Sequence, residues 1–479
     1  MKVRLERDSL GLHEVPFYAY FGIQTQRAVE NYRISGYRGH SQLIRAMGMI
    51  KKAAAQANGE LKLIDRKRAN AIARAAEEVI EGRWNGEFVV DVYQAGAGVS
   101  FHMNANEVIA NRAIELLGGK RGDYDLCHPN DHVNCSQSTN DVFPTAMRLA
   151  SLFLFDDLHA AVMELAKSFS RKASAFDRIL KSGRTHLMDA VPIRLGQEFA
   201  AYATSMRRCE GVIEYARGLL KEVGLGGSAT GTGVNTHPKF QKLVVRRLSK
   251  ISGQALRPTD DLRYAMQSNL AMSVASSALR NLALELIRIS NDLRLLSSGP
   301  NTGLAEIQLP ALQPGSSIMP GKINPVMAEL TAMVGFQAIG GDLVTAMAVQ
   351  AGQLELNVMM PAMAWNVLHC AEILKNTIRA LATKCIDGIS ANEERCRYYA
   401  NATVAIAAAL NPYIGYAAAA EIAKESVVTG RPVAEIALEK NLLDEQTLRK
   451  ILDPMRMTSP TAPIKQALRK GKRVKSKER

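Results

Sequence analysis

The run Gly315-Ser316-Ser317-Ile318-Met319-Pro320-Gly321-Lys322-Ile323-Asn324-Pro325 joins two hydroxyls, a cation, a carboxamide and two glycines in one short segment. Glycine permits unusual backbone angles, and the prolines bar the segment from continuing a helix. Such a loop can bend over a small anion and supply both a proton acceptor and an anion clamp. Gly, Ser and Pro clusters also build ordinary surface loops, so the segment takes its meaning from the rest of the chain.

Other residues could share that chemistry. Ser138, Thr139 and Asn140 offer three short polar side chains ahead of a segment that reads as helix from Asp141. Residues of this kind cap helix N-termini, and a helix N-terminus is also a natural carboxylate site. Thr185 and His186 follow Gly183-Arg184; a lone histidine is more often structural than catalytic. His128 and His132 are four apart, but Pro129 sits between them and no ligand set surrounds them, so no metal site is expected. The glycine-rich stretch from Gly224 to Gly233 lacks the strand-turn-helix context of a nucleotide loop. No Ser-His-Asp hydrolase elbow is present.

These residues need a scaffold, and helical periodicity dominates the chain. Leu43 to Asn58 and Ala69 to Ile80 read as amphipathic helices. A longer helix is expected after Asp141, with Pro144 in its first turn, running towards Phe176. Pro192 to Glu222, Ala265 to Ser297, Met327 to Leu354 and Pro361 to Ile386 complete a set of five long segments, which suggests a long bundle. The Met327 to Leu354 segment is apolar on most faces and carries Gly335, Gly340 and Gly341, as a helix closely approached by neighbours would. A homo-oligomer follows from that. Short punctuated stretches at 94–100, 128–140, 183–191, 226–237 and 311–326 interrupt the helices and hold the candidate chemistry. Boundaries near 140 and 394 divide the chain into 1–140, 141–394 and 395–479.

Composition sets the outer limits. A chain of 479 residues with 47% hydrophobic and only 6% aromatic residues can bury a large core and favours helix over strand. Net charge is +14, and the segment Lys465 to Arg479 alone contributes +7. That basic end reads as a solvated tail, without the aromatic interleaving of a nucleic-acid surface. The remaining excess suits a protein that attracts anionic substrates. Six dispersed cysteines without a Cys-x-x-Cys pair read as reduced thiols of a cytoplasmic protein. No apolar signal core follows the charged N-terminus, and the long apolar segments carry charges or glycines, so neither a leader nor a membrane span is expected.

The signature loop resembles that of the aspartase/fumarase superfamily, whose members eliminate an amine or hydroxyl from a succinyl-type substrate to give fumarate. Glu6-Arg7-Asp8-Ser9-Leu10-Gly11 and Tyr20 to Arg27 resemble the family's opening. Gly96-Ala97-Gly98 with Met103-Asn104-Ala105-Asn106-Glu107, then Ser136 to Asp141, then Gly183-Arg184-Thr185-His186, resemble its further signature segments. Gly231 to Thr236 and Asn411 to Gly415 extend the likeness over nearly the whole chain. The resemblance implies a mostly α, three-domain fold with a central long-helix bundle, and a homotetramer sharing a twenty-helix core.

It also implies roles. Ser316, the first serine of the Gly-Ser-Ser run, would be the general base, with Ser317 donating to a substrate carboxylate. Removing an amine from a succinate skeleton makes a dianionic aci-carboxylate, which a cation and donors stabilise best in a water-poor site; Lys322 and Asn324 suit that task. Ser138, Thr139, Asn140 and Thr185 resemble positions that bind the substrate's carboxylate and its amino or hydroxyl group. His186 would bind substrate and relay a proton, oriented by Glu329.

Within the superfamily, Lys322-Ile323-Asn324 lacks the second basic residue of argininosuccinate and adenylosuccinate lyases, and Thr139 stands where class II fumarases typically have serine. The expected activity is the reversible elimination of ammonia from L-aspartate, with fumarate hydration, or a related lyase reaction on a modified amino acid, as alternatives. The implied partner is a small anionic dicarboxylate or amino acid; no organic cofactor, nucleic acid or membrane is implied. Val99, His102, Cys135 and Met188 depart from the usual threonine, asparagine, lysine and glutamine. They read either as chance drift or as an altered substrate preference.

Overall fold

A computed structural model of the chain describes residues 2–464; the basic segment from Lys465 lies outside the described residues. The chain opens with an antiparallel hairpin of β1 (Val3–Asp8) and β2 (Gly11–Pro16), paired from Val3↔Pro16 to Asp8↔Gly11. Helices α1 (Ile23–Asn31), α2 (Ser41–Glu60), α3 (Arg66–Ile80), α4 (Val99–Leu116) and α5 (Thr139–Ala175) follow. A second hairpin, β3 (Leu180–Thr185) and β4 (Met188–Arg194), leads into α6 (Leu195–Leu220). Then come α7 (Phe240–Ser252), α8 (Leu262–Gln267), α9 (Leu270–Leu296), α10 (Val326–Gln350) and α11 (Met360–Lys384). Five shorter helices, α12 (Glu393–Ala402), α13 (Asn411–Ile414), α14 (Tyr416–Thr429), α15 (Val433–Glu439) and α16 (Glu445–Ile451), close the described chain. The fold is mostly helical, as composition and periodicity require.

Two compact units emerge, one from 2–162, 208–286 and 333–377, the other from 163–207, 287–332 and 378–464. The long helices α5, α6, α9, α10 and α11 each begin in one unit and end in the other.

In the first unit α4 is the most enclosed element: every residue from Ser100 to Asn111 is buried. It was not expected as a helix, because polar residues share its interior with apolar ones and erase the period that periodicity depends on. Most of its buried polar groups are answered, Asn106 Oδ1 being the exception among the described residues. Asn104 donates to the Glu87 carbonyl and accepts from the Val89 N–H. Asn111 donates to the Tyr20 carbonyl and accepts from the Gly122 N–H. Glu107 accepts from the N–H groups of Gly22, Gln24 and Thr25, capping α1, whose own N-cap residue Gly22 has no side chain to do so. The signature segment Met103 to Glu107 is therefore scaffold that pins the N-terminal region. Gly98, in the left-handed region at φ 88°, lies where any Cβ would strike the Phe143 ring.

Three expectations need correction. Pro144 falls in the second turn of α5, not its first. Lacking an N–H, it leaves the Asn140 carbonyl without its helical donor. Residues 183–191 are mostly hairpin rather than open loop, and α6 starts at Leu195 because β4 runs to Arg194. The single helix expected over Ala265 to Ser297 is broken at Ser268, whose backbone is extended, so α8 and α9 are separate.

In the second unit, Leu410, Ile422, Ile436 and Leu448 form one apolar cluster beneath α14, α15 and α16. All six cysteines are free thiols. By length and composition alone α9 and α10 could cross a membrane, yet much of α9 is spent on the chain's own core.

Candidate functional site

Ser138, Thr139 and Asn140 sit at the start of α5 in the first unit. Ser138 Oγ accepts from the Asn140 N–H at 3.3 Å, and Asp141 accepts from the Ser138 N–H at 2.9 Å. Ser138 thus caps the helix through its hydroxyl while Asp141 reaches back to its N–H, so the capping reading of these residues holds. Asn140 donates its side-chain N–H to the Ala229 carbonyl at 2.8 Å. The other Asp141 oxygen accepts from Gly226 N–H at 2.9 Å and Ser228 N–H at 3.1 Å. The glycine-rich stretch thus wraps a buried carboxylate. Burial raises that carboxyl from its ordinary value to about 6, against the pull of its backbone donors and of Lys51.

Behind Thr139 lies a polar cluster that periodicity did not reveal. Lys51, on α2 and fully buried, donates to Asn134 Oδ1 at 3.0 Å and to Gln137 Oε1 at 2.9 Å. Its Nζ lies 2.7 Å from His102 Nε2, and His102 Nδ1 lies 2.7 Å from Thr139 Oγ1. Burial lowers the Lys51 ammonium well below its ordinary value, with Asp141 opposing. Burial and then the Lys51 charge push His102 down as well, which disfavours the charged ring. Of the departures, His102 is therefore built into the site, while Val99 is exposed on the first turn of α4 and Met188 is exposed on β4. Cys135 contributes its backbone carbonyl, which accepts from Asn58 and Gln137. His128 and His132 use their Nδ1 atoms as acceptors for backbone N–H groups of their own turn.

Thr185 and His186 occupy the tip of the β3–β4 hairpin in the second unit, both exposed. Thr185 pairs with Met188, leaving His186 (φ 58°) and Leu187 (φ 61°) as a two-residue turn. Two successive positive φ angles define the turn whose twist suits a tight hairpin, here made by residues that pay strain for it. The base is clamped by the motif's arginine, Arg184, which ion-pairs with buried Glu306.

The signature segment is an ordered loop ahead of α10. Gly315 N–H donates to the Lys322 carbonyl at 2.8 Å, and Asn324 Nδ2 donates to the Gly315 carbonyl at 2.7 Å. A side chain at Gly315 would collide with the Lys322 carbonyl, so the loop closes only with glycine there. Ser316 Oγ is half-buried and accepts from the N–H groups of Ile318 at 3.3 Å and Met319 at 3.0 Å. Ser317 and Lys322 are exposed, and Lys322 makes no ion pair among the described residues. Glu329 lies half-buried in the first turn of α10.

Three local groups result: the α5 start, the hairpin tip and the signature loop. Within the second unit no hydrogen bond or ion pair joins His186 to Glu329, or the hairpin tip to the loop, among the described residues. A cleft of about 410 Å³ beside the hairpin is lined by Thr185, Gln197 and Glu198 among others. A larger one of about 500 Å³, lined by Arg7, Ser9, Arg27 and Asn31 among others, contains none of the ten expected site residues. Sequence reasoning missed Lys51, Asn134, Gln137 and Glu306. The run Met49 to Ala55 holds both Lys51 and Lys52 and carried no signal for which of them is buried.

Residues 11–340 match a family model described as lyase, and residues 406–459 match one described as fumarase C C-terminus. Aspartate ammonia-lyase of Bacillus subtilis (strain 168) is 47% identical over 98% of both chains. A class II fumarate hydratase of Halobacterium salinarum is 49% identical over 95% of this chain and 97% of its own. The crystal structure of a fumarate lyase:delta crystallin from Brucella melitensis, bound to cobalt, superposes with a TM-score of 0.92 at 48% identity, covering 96% of this chain and all of that one.

Proposed function

We propose, from the premise that this chain belongs to the aspartase/fumarase superfamily of lyases, that it is an ammonia-lyase reversibly converting L-aspartate to fumarate and ammonia. Thr139 is the observation that carries the choice of amine over hydroxyl, since it stands where class II fumarases typically have serine. The similarity to the Halobacterium salinarum hydratase supports fumarate hydration as the second reading.

The chemistry runs as follows. Ser316 Oγ takes the proton from the substrate carbon next to the far carboxylate. The C–H electron pair moves into that carboxylate, giving a dianionic aci-carboxylate. Its collapse forms the carbon–carbon double bond and expels the amine. A serine is a poor base at its free pKa; the N–H groups of Ile318 and Met319 aimed at Ser316 Oγ favour its anionic form. Lys322 supplies the cation, Ser317 a hydroxyl donor, and Asn324 its second amide N–H, the first being spent on Gly315. Ser138, Thr139, Asn140 and Thr185 hold the substrate's carboxylate and amine. His186, oriented by Glu329, binds substrate and relays a proton. Val99 and His102 bear on which amino acid fits, including modified ones.

The three-part division at 1–140, 141–394 and 395–479 belongs to the same proposal, as does the homotetramer. For the tetramer, α10 offers support: Met333, Phe336, Leu343 and Met347 are exposed at spacings that form one stripe, interrupted by Gly340, beside which there is open space. The free thiols support a reducing, cytoplasmic setting.

The test is ultraviolet absorbance of fumarate, with L-aspartate and L-malate supplied separately and Ser316→Ala as control. Fumarate from aspartate, lost in the variant, is the expected result. Turnover of malate alone would replace this reading with the hydratase; silence with both would leave neither.

A further inference from the structure

Thr139 Oγ1 has one protein partner among the described residues, His102 Nδ1. Which of the two donates decides what Thr139 can offer a ligand, and the answer is set on the far side of the ring. Asn134 spends its N–H on the Gln137 carbonyl, and Gln137 spends its own on the carbonyls of Val133 and Cys135. Both amides therefore turn oxygens towards Lys51 Nζ. An ammonium there has three N–H donors for two amide oxygens and one ring nitrogen, so all are satisfied. Asp141, the carboxylate that acts on Lys51 electrostatically, is balanced by that charge.

We infer that Lys51 is an ammonium and that it and His102 are positioning residues: Lys51 donates to His102 Nε2, which places the ring proton on Nδ1, and Nδ1–H donates to Thr139 Oγ1. The Thr139 hydroxyl proton then has no acceptor among the described residues and points to the ligand. Thr139 thereby keeps a free O–H donor for an anionic oxygen, such as a substrate carboxylate, whereas a Thr139 that donated to His102 would offer a ligand only lone pairs. This last consequence rests on the reading of Thr139 as a substrate-binding residue. The His102 tautomer does not.

Nitrogen-15 NMR of histidine-labelled wild-type enzyme tests the tautomer directly, with His102→Gln identifying the signal. A protonated Nδ1 beside an unprotonated Nε2 is expected. The reverse tautomer, or a ring protonated on both nitrogens, overturns the inference, whatever substrate the enzyme uses. Kinetics tests the consequence. His102→Ala and Thr139→Val should each raise KM for L-aspartate about three- to tenfold with kcat little changed. The double variant should be no worse than Thr139→Val alone. Multiplying effects would overturn the linkage between the two residues. Failure to turn over aspartate at all would count against the proposed function while leaving the NMR result standing.

Discussion

One guanidinium nitrogen of Arg184 lies 3.0 and 2.9 Å from the two carboxylate oxygens of Glu306, a side chain with no solvent exposure. Lys181 joins them, 3.4 Å from Glu306 and 3.0 Å from Glu198. Both cations stand on β3, so the pair anchors the strand that displays Thr185 and His186. Glu306→Ala leaves Arg184 and Lys181 without the buried carboxylate that they share. Unfolding in urea should show a loss of about 3–5 kcal/mol. A loss under about 1 kcal/mol would mean that the clamp carries no weight.

Leu187 occupies the left-handed region at φ 61° in the hairpin turn and is exposed. A non-glycine residue there costs roughly 1–2 kcal/mol, of which the greater freedom of unfolded glycine takes back a part. Leu187→Gly should therefore stabilise the chain by about 0.5–1 kcal/mol, read as a rise in Tm. An unchanged or lower Tm would show that the side chain compensates through a contact of its own.

Glu107 accepts three backbone N–H groups and yet is pushed up to about 7 by burial. Between the ordinary 4.5 and about 7 the folded chain holds a proton that the unfolded chain has released. The stability tied to that proton is complete below about 4.5 and is lost as pH rises through about 7. Glu107→Gln cannot titrate. Wild type should gain on the order of 2–3 kcal/mol relative to this variant as pH falls from about 8 to about 5. Parallel stability curves for the two proteins would contradict the shift.

Asp141 collects the N–H groups of Ser138, Gly226 and Ser228. In Asp141→Asn an NH₂ group must face at least one of those donors. The expected cost is about 1–3 kcal/mol, together with faster amide exchange at Gly226 and Ser228 and weaker substrate binding at the α5 start. Native exchange rates at both glycine-rich positions would argue that the stretch is held by other means.

The exposed stripe on α10 bears on assembly. Leu343→Lys puts a charge in its middle without touching the chain's buried core. Sedimentation should show the proposed tetramer replaced by smaller species while helical content persists. An intact tetramer would assign that surface another use.

Much of the helical framework was legible because helix formation is local. The expected spans over Leu43 to Asn58 and Ala69 to Ile80 fall inside α2 and α3, whose boundaries are set by nearby caps: His40 and Asp65 each accept an N–H two or three residues on. The signature loop and the Ser138-Thr139-Asn140 cap were legible for the same reason, since short segments of distinctive residues make their own turns. The β3–β4 hairpin was not, because its alternation is short and its turn uses His186 and Leu187 in place of the glycine or asparagine that usually announces one. Nor was α4, whose buried Asn104, Asn106, Glu107 and Asn111 read as a polar stretch until their partners are known.

The sequence by itself determined the helical class, the family, the loop that can hold a base beside a cation, and the short polar cap that begins α5. Tertiary structure alone decided what stands behind them. Lys51 and Lys52 are adjacent lysines with the same local propensity; the first is fully buried against His102, while the second reaches Glu77 at the surface of α3. The period that marks α2 as a helix does not say which of two neighbouring lysines turns inward once other segments enclose nearly every side. The fate of each side chain is then set by contacts between segments far apart in the chain, and no local pattern records them.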